Sequence, residues 1–270
     1  MKIKKVLSDV FAYFPESRIK DKIRLFLYNR PKRKDFLIFK DDKNWIAKYS
    51  DFELVFGKDT IPYHLLLSNY IFLHHLPEKR IDLMVDAGAF IGSFSIYSKN
   101  KYPQIKKVLA LEPDPVNLER LKNNVALNKL TEIEILPVGL WSKKETLIFF
   151  PNQELASSVY NQGESKEKRI EIQVDSLDNI LKGVTGQRIF IKMNIEGAEI
   201  DALPACVETI RNNKVHMAIA ADHFVNGELT YKKIEKMCRD MKLSVTTFNH
   251  HPYITVYASN ETQYSDPVTV

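Results

Sequence analysis

From residue 85 the chain reads Val-Asp-Ala-Gly-Ala-Phe-Ile-Gly-Ser-Phe. Glycine turns tightly and lets backbone come close to a ligand, so Gly88 and Gly92 are expected to fold the segment against a bound molecule. Asp86 presents a carboxylate at the same place. The pattern is D-x-G-x-x-x-G and differs from the dinucleotide signature G-x-G-x-x-G. A pyrophosphate needs that signature's first glycine and is repelled by a carboxylate. A ligand with ammonium and sulfonium groups and no phosphate suits Asp86 better. Twenty residues beyond Gly92, Leu111-Glu112-Pro113 follows. An acidic residue there accepts hydrogen bonds from both ribose hydroxyls, as an adenosine-containing cofactor requires. Asp114 has two readings, a contact to the adenine edge or the cap of a helix beginning at Pro115, and the Asp-Pro pair favours the cap.

A second group holds residues suited to proton transfer: Lys192, Asn194, Glu196 and Glu199 in one segment, Asp222 and His223 in another. Glu196 directly follows a strand-like run and ranks first for contact with substrate. His223 follows the apolar run Ala218-Ile219-Ala220-Ala221, and its ordinary pKa suits a base near neutrality. Both glutamates have a plainer reading as first-turn acids that stabilise a helix. Lys192 lies between Ile191 and Met193 on a strand buried on both faces and needs a partner, which Glu196 or Asp222 could supply. Ser157 and Ser158 are candidates for a substrate wall and equally for ordinary turn residues. The aromatic residues Tyr63, Tyr160 and Phe224 are left unassigned.

These residues need a scaffold that brings strand ends together. Strand-like runs occur at 81–86, 107–111, 133–137, 189–193 and 215–220, and helical stretches at 93–100, 115–128, 176–181 and 199–212. Their alternation predicts an α/β fold, a parallel sheet covered on both faces by right-handed crossovers. After a helix at about 230–241, strands at 243–248 and 253–257 are joined only by Asn249-His250-His251-Pro252. That link is too short for a parallel crossover, so the last strand must run antiparallel. The expected fold is a mostly parallel, seven-stranded Rossmann-like sheet with an antiparallel C-terminal hairpin strand, the arrangement of class I methyltransferases. Residues 1–80 read as a separate α+β cap, with helices near 19–28 and 61–76 and short strands at 36–39 and 45–49. Residues 81–270 form the main domain.

At 44% apolar and 27% charged residues the composition excludes a disordered or collagen-like chain. The most apolar stretch, 65–76, is interrupted by Ser68, Asn69, His74 and His75 and is shorter than the roughly 20 residues that span a bilayer. No secretory signal is read at 1–14, so the mature chain is expected to begin near Met1. Cys206 and Cys238 lack partners at metal-ligand spacing and form no disulfide framework; neither a metal nor an oxidising compartment is expected, and the cytoplasm is the default location. The 39 basic and 34 acidic residues give +5 overall. Residues 1–48 hold fourteen Lys/Arg against six Asp/Glu, so this segment carries +8 and the remainder −3. A basic arm fits a nucleic acid, an anionic membrane, an acidic glycan or a solvated surface.

Four segments together resemble the FkbM family of S-adenosylmethionine-dependent methyltransferases: VDAGAFIGSFSIY at 85–97, LEPDPVNLERLKNNVALNKL at 111–130, VDSLDNIL at 174–181 and FIKMNIEGAE at 190–199. The similarity covers about residues 80–260. It implies S-adenosylmethionine as cofactor and most often O-methylation of a sugar or natural-product hydroxyl; the basic N-terminal segment adds a glycolipid at an anionic membrane as a further candidate acceptor. Asp86, Gly88, Gly92, Glu112 and Asp114 would then bind the cofactor, and Glu196, His223, Lys192 and Asn194 would serve transfer. Family members usually carry aspartate where this chain has Asn194, and asparagine cannot act as a base. Two other readings compete. One is an RNA methyltransferase or RNA-binding protein using the basic arm, which lacks both a recognisable RNA-binding module and an N/D-P-P-Y/F sequence. The other is a cofactor-binding module without activity. A small-molecule or glycan acceptor is the expected partner, with peripheral attachment of residues 1–48 to an anionic membrane as an addition.

Overall fold

Runs such as Ile81–Ala87 and Lys214–Ala220 are almost continuously apolar, as strands covered on both faces must be. The computed structural model describes residues 17–29, 35–58, 60, 62–150, 169–250, 253–262 and 264. The chain forms two compact units, Met1–Leu65 and Leu66–Val270. This division falls inside a helix, earlier than the boundary expected near residue 80. The second half of that helix belongs to the larger unit: Asn69 donates to the Ser93 carbonyl, and Tyr70 and Phe72 meet Tyr97 and Phe94 edge-on.

In the smaller unit, helix α1 (Arg18–Tyr28) is capped by Ser17 and precedes an antiparallel sheet. Its strands are β1 (Phe36–Lys40), β2 (Asn44–Tyr49) and β3 (Glu53–Gly57). Asn29, just past the helix, donates to and accepts from the backbone of Ile38, so its amide pairs with the exposed edge of β1. Helix α2 (Pro62–Phe72) spans the boundary between the units.

The larger unit is built on β4 (Ile81–Ala87), β5 (Ile105–Leu111) and β6 (Ile133–Leu136), connected by α3 (Ser93–Lys101) and α4 (Pro115–Leu127). A side sheet of β7 (Gly139–Leu140), β8 (Glu145–Phe149) and β9 (Ile170–Asp175) follows. After the short α5 (Leu177–Ile180) the chain returns to the main sheet as β10 (Arg188–Met193). The stretch read as one helix over 199–212 is broken into α6 (Glu199–Ala202), a 3-10 turn Leu203–Cys206, and α7 (Val207–Asn212). Pro204, with no N–H to donate, accounts for the break. Then come β11 (Lys214–Ala220), the small hairpin β12 (Phe224–Val225) and β13 (Glu228–Leu229), α8 (Tyr231–Asp240), β14 (Ser244–His250) and β15 (Tyr253–Ser259).

The main sheet has the order β14-β15-β11-β10-β4-β5-β6. Strands β11, β10, β4, β5 and β6 run parallel, and β15 is antiparallel to both of its neighbours, as the short 249–252 link requires. One face is a layer of Leu83, Val85, Ile189, Ile191, Met193, Met217, Ile219 and Val256, buried under α5 to α8. The strand order reverses between β4 and β10, where open α/β sheets bind ligands at their carboxyl ends.

Candidate functional site

The loop after β4 is shaped by three residues in the left-handed region, Gly88 at φ 76, Phe90 at φ 54 and Gly92 at φ 84. Both glycines are required by the protein's own packing. A Cβ on Gly88 would lie 2.0 Å from the carbonyl oxygen of Asn194, and one on Gly92 would lie 2.5 Å from Leu121 Cδ1. The room that the motif reading assigned to a ligand is filled by β10's exit and by α4. Asn124 secures the loop further, donating to the Ile91 carbonyl at 2.9 Å. Leu121 and Asn124, two residues of the family-like Leu-Lys-Asn-Asn run, thus act together on one loop.

Asp86 is fully buried and does not face open space. Its Oδ1 accepts from Lys192 Nζ at 2.9 Å, and its Oδ2 accepts from Ser95 Oγ at 2.6 Å. The cation that Asp86 meets is therefore part of the chain. The register explains it: Asp86 and Lys192 stand opposite each other on adjacent parallel strands, both turned away from the aliphatic layer. Lys192 also donates to the carbonyls of Ala87 and Gly88, with the rings of Phe72 and Phe94 about it at 5.7 and 5.8 Å. Its hydrogen-bonding partner is Asp86, and neither Glu196 nor Asp222 fills that place.

At the end of β5, Glu112 is buried and accepts from the N–H groups of Phe90 at 2.7 Å and Asp114 at 3.0 Å. Burial lifts its carboxyl to about 7, against the pull of those two donors. A carboxylate can accept about four hydrogen bonds, so this one is under-supplied beside the glycine loop. The missing donors are of the kind that a vicinal diol supplies. Asp114 caps α4, accepting from Val116 and Asn117 through Oδ1. The cap reading of the Asp-Pro pair holds.

The proton-transfer group is assembled by the turn after β10. The Asn194 N–H donates to the Ala87 carbonyl, which ties the turn to β4. Glu196 then adopts φ 57 and Gly197 φ 99. A left-handed glutamate carries strain of roughly 1–3 kcal/mol and points to a functional constraint. Glu199 holds this turn in place. Fully buried, it accepts from the N–H groups of Ile195 at 2.7 Å and Gly197 at 2.9 Å.

From the end of β11, His223 enters between the two glutamates. Its Nδ1 lies 3.3 Å from Glu199 Oε2 and its Nε2 3.6 Å from Glu196 Oε2, ion-pair separations that are not aligned as hydrogen bonds. Burial opposes the charged ring, but Glu199, Glu196 and Asp222 outweigh it and raise His223 to about 9. His223 is consequently a cation near neutrality and not the free base its ordinary pKa promised. Burial drives Glu196 up to about 7, with His223 opposing. Asp222 is raised as well, chiefly by burial. Of these groups Glu196 has the proton affinity of a neutral-pH base.

Some expectations fall elsewhere. Ser157, Ser158 and Tyr160 lie outside the described residues, as does the side chain of Tyr63, and Phe224 is exposed. Sequence reasoning passed over Ser95, the second partner of Asp86, and the β12–β13 hairpin. The hairpin was legible as Asn226-Gly227, whose two positive φ values make the tight turn typical of that pair. It seats His223, whose carbonyl accepts from Thr230. Among the described residues no cluster of His, Cys, Asp and Glu is arranged to hold a metal.

Comparison with known proteins sets this geometry in context. Residues 86–251 match the model of the methyltransferase FkbM domain. The chain is 34% identical to the methyltransferase sdnD of Sordaria araneosa, over 44% of this chain and 58% of that protein. It is 28% identical to methyltransferase 1 of Beauveria bassiana, over 44% of this chain and 56% of that protein. The chain thus spans under two thirds of the length of these curated relatives. Among solved structures, the methyltransferase FkbM of Methylobacillus flagellatus superposes with a TM-score of 0.50 at 24% identity, over 68% of this chain and 45% of that one, a likeness of fold.

Proposed function

Because this chain belongs to the FkbM methyltransferase family, whose cofactor is S-adenosylmethionine, we propose that it methylates a hydroxyl group on a saccharide, glycolipid or natural-product metabolite. The observation that carries the proposal is Glu196, a strained glutamate raised to about 7 by burial, in the turn that packs on the glycine loop at Gly88. S-adenosylmethionine, when bound, supplies a methyl group activated by its sulfonium. An alcohol is a weak nucleophile and needs a neighbouring group to take its proton. Glu196 receives that proton. His223 positions Glu196 and, as a cation, favours its ionised form, and Glu199 orients the ring from the far side. Glu112 holds the ribose diol. Lys192 and Asp86 act from beneath, fixing the carbonyls of the glycine loop. In this scheme Asn194 contributes through its backbone, so an asparagine at that position does not remove the base.

Calorimetric titration with S-adenosylhomocysteine tests the cofactor half. Micromolar binding, on the order of −8 kcal/mol, is expected. Glu112→Gln should weaken it at least about tenfold, since hydrogen bonds to a charged group contribute roughly 1.5–3 kcal/mol each. The pH dependence has a definite sign. Diol donors favour the ionised carboxylate, while the empty site protonates Glu112 below about 7. Affinity should therefore rise with pH through that value, with proton release below it, visible as a buffer-dependent heat. Affinity independent of pH between 5.5 and 8 would remove Glu112 from the site. Transfer of labelled methyl to a panel of hydroxylated glycans and metabolites tests the acceptor half, and tight cofactor binding without transfer to any member would count against it.

A further inference from the structure

Among the described residues, five other than glycine adopt a positive φ: Phe90, Lys129, Glu196, Asn226 and Lys242. Lys129 and Lys242 stand just past the ends of α4 and α8, and Asn226 forms the turn of the small hairpin with Gly227. These are ordinary places for left-handed backbone. Phe90 and Glu196 have no such explanation, and they lie in the loop after β4 and the turn after β10, the two segments that make the site. Glu196 is accounted for as the base. Phe90 is the poorer fit to its conformation, since glycine and asparagine tolerate left-handed backbone and a bulky side chain there is a true outlier.

The loop itself does not call for a ring. What residue 90 gives to the fold is its N–H, which Glu112 Oε2 accepts at 2.7 Å. Any residue but proline supplies that bond. The ring is half-buried and is not one of the fully covered side chains that make the core. An outlier kept without need of the backbone points to something its side chain does.

The place of that side chain suggests its task. The Cα of Phe90 is one bond from the nitrogen that Glu112 accepts, so the side chain starts within about 4 Å of the carboxylate. Glu112 takes two backbone N–H groups, from Phe90 and Asp114, and its remaining capacity is the place assigned to the ribose diol. A nucleoside held there brings a C–H-rich sugar face and an aromatic base, and both pack well on a phenyl ring.

We propose that Phe90 is a cofactor-binding residue, its ring packed on the adenosine half of S-adenosylmethionine beside the ribose that Glu112 holds. The proposal rests on the cofactor site put forward under the preceding heading and adds to it a side chain whose strain serves the cofactor and not the fold.

The test compares Phe90→Asn, Phe90→Tyr and Glu112→Gln with the native full chain, each titrated with S-adenosylhomocysteine and with methylthioadenosine, which keeps the adenosine and lacks the amino acid. Asparagine tolerates left-handed backbone and retains the N–H that Glu112 accepts. Phe90→Asn should weaken both ligands at least about tenfold, within the range for loss of an aromatic platform under a base. At the same time relief of strain should raise the melting temperature of the ligand-free protein by about 2–4 °C. The opposite signs exclude a ring that merely packs the loop, whose removal lowers both. Phe90→Tyr keeps ring and strain together and should match the native protein in both measurements. Native-like affinity in Phe90→Asn, where Glu112→Gln weakens binding, overturns the proposal and leaves the cofactor site standing. A melting temperature lowered together with affinity overturns it in favour of packing. Weakening confined to S-adenosylhomocysteine overturns the assignment to the adenosine half. Native protein that binds neither ligand removes the cofactor site, and the proposal with it.

Discussion

Lys192→Met should lower the stability of the folded protein by about 3–5 kcal/mol, the usual loss when one partner of a buried ion pair is removed. For a unit of this size the melting temperature should fall by roughly 6–20 °C. The magnitude follows from Asp86, which has no exposed surface and keeps only the Ser95 hydroxyl once the ammonium has gone. Pairing two buried charges contributes little net stability by itself, because desolvation offsets their attraction. Breaking the pair is what costs. The double variant Lys192→Met/Asp86→Asn should accordingly recover at least half of the loss, the asparagine still bonding Ser95. Lack of recovery would assign the cost to the carbonyls of Ala87 and Gly88, left without their donor. A single variant melting within about 2 °C of the native protein would refute a structural role for the pair. The same experiment separates structure from chemistry, since a lysine that holds the acceptor oxygen would lose turnover without loss of stability.

Glu196→Gln should reduce turnover by about 10²- to 10⁴-fold, the range ascribed to a positioned general base, with cofactor affinity unchanged. The native pH profile of kcat/KM should be bell-shaped. On its acid side activity falls below about 7, where Glu196 is protonated and cannot accept a proton. On its alkaline side activity falls above about 9, where His223 loses the charge that supports Glu196. His223→Gln should remove the alkaline limb and move the acid limb to higher pH, because burial then raises Glu196 with only the weaker pull of Lys192 against it. Stability follows activity on the alkaline side only, since a glutamate raised by burial destabilises the fold as pH rises and it ionises. His223, raised above its ordinary 6.5, contributes stability that is complete below that value and lost as pH rises through about 9. Retention of turnover within threefold in Glu196→Gln would move the base elsewhere, with Asp222 the first place to look.

What the sequence revealed divides along a physical line. The alternation of strands and helices, the antiparallel last strand and the cap at Asp114 were legible because each rests on local rules: apolar runs, the length of a link, a dipeptide at a helix start. The partners of Asp86 and Lys192 were not, because they depend on register between strands 106 residues apart. Residue types alone made Asp86 a site for a cationic ligand, and the cation proved to be internal. His223 was misread for a related reason. Its identity suggests a base near neutrality, but Glu199, remote in sequence and assigned to a helix terminus, converts it to a cation. Glu199 itself turned out to hold the strained turn.

The neighbour relation of β4 and β10 at the centre of the sheet also bears on how the protein is made. At about 5–20 residues per second, a ribosome that has just delivered Asp86 needs roughly another 5–20 s to deliver Lys192. Throughout that interval β4, α3, β5, α4 and β6 are available to fold, yet one of their central carboxylates has no counter-charge and the middle edge of their half-sheet has no neighbour. Early chains are therefore held back from settling as a finished layer until the lysine emerges. Burial of the aspartate makes late arrival a condition of completion, and a nascent chain arrested before residue 192 should remain a client for chaperones.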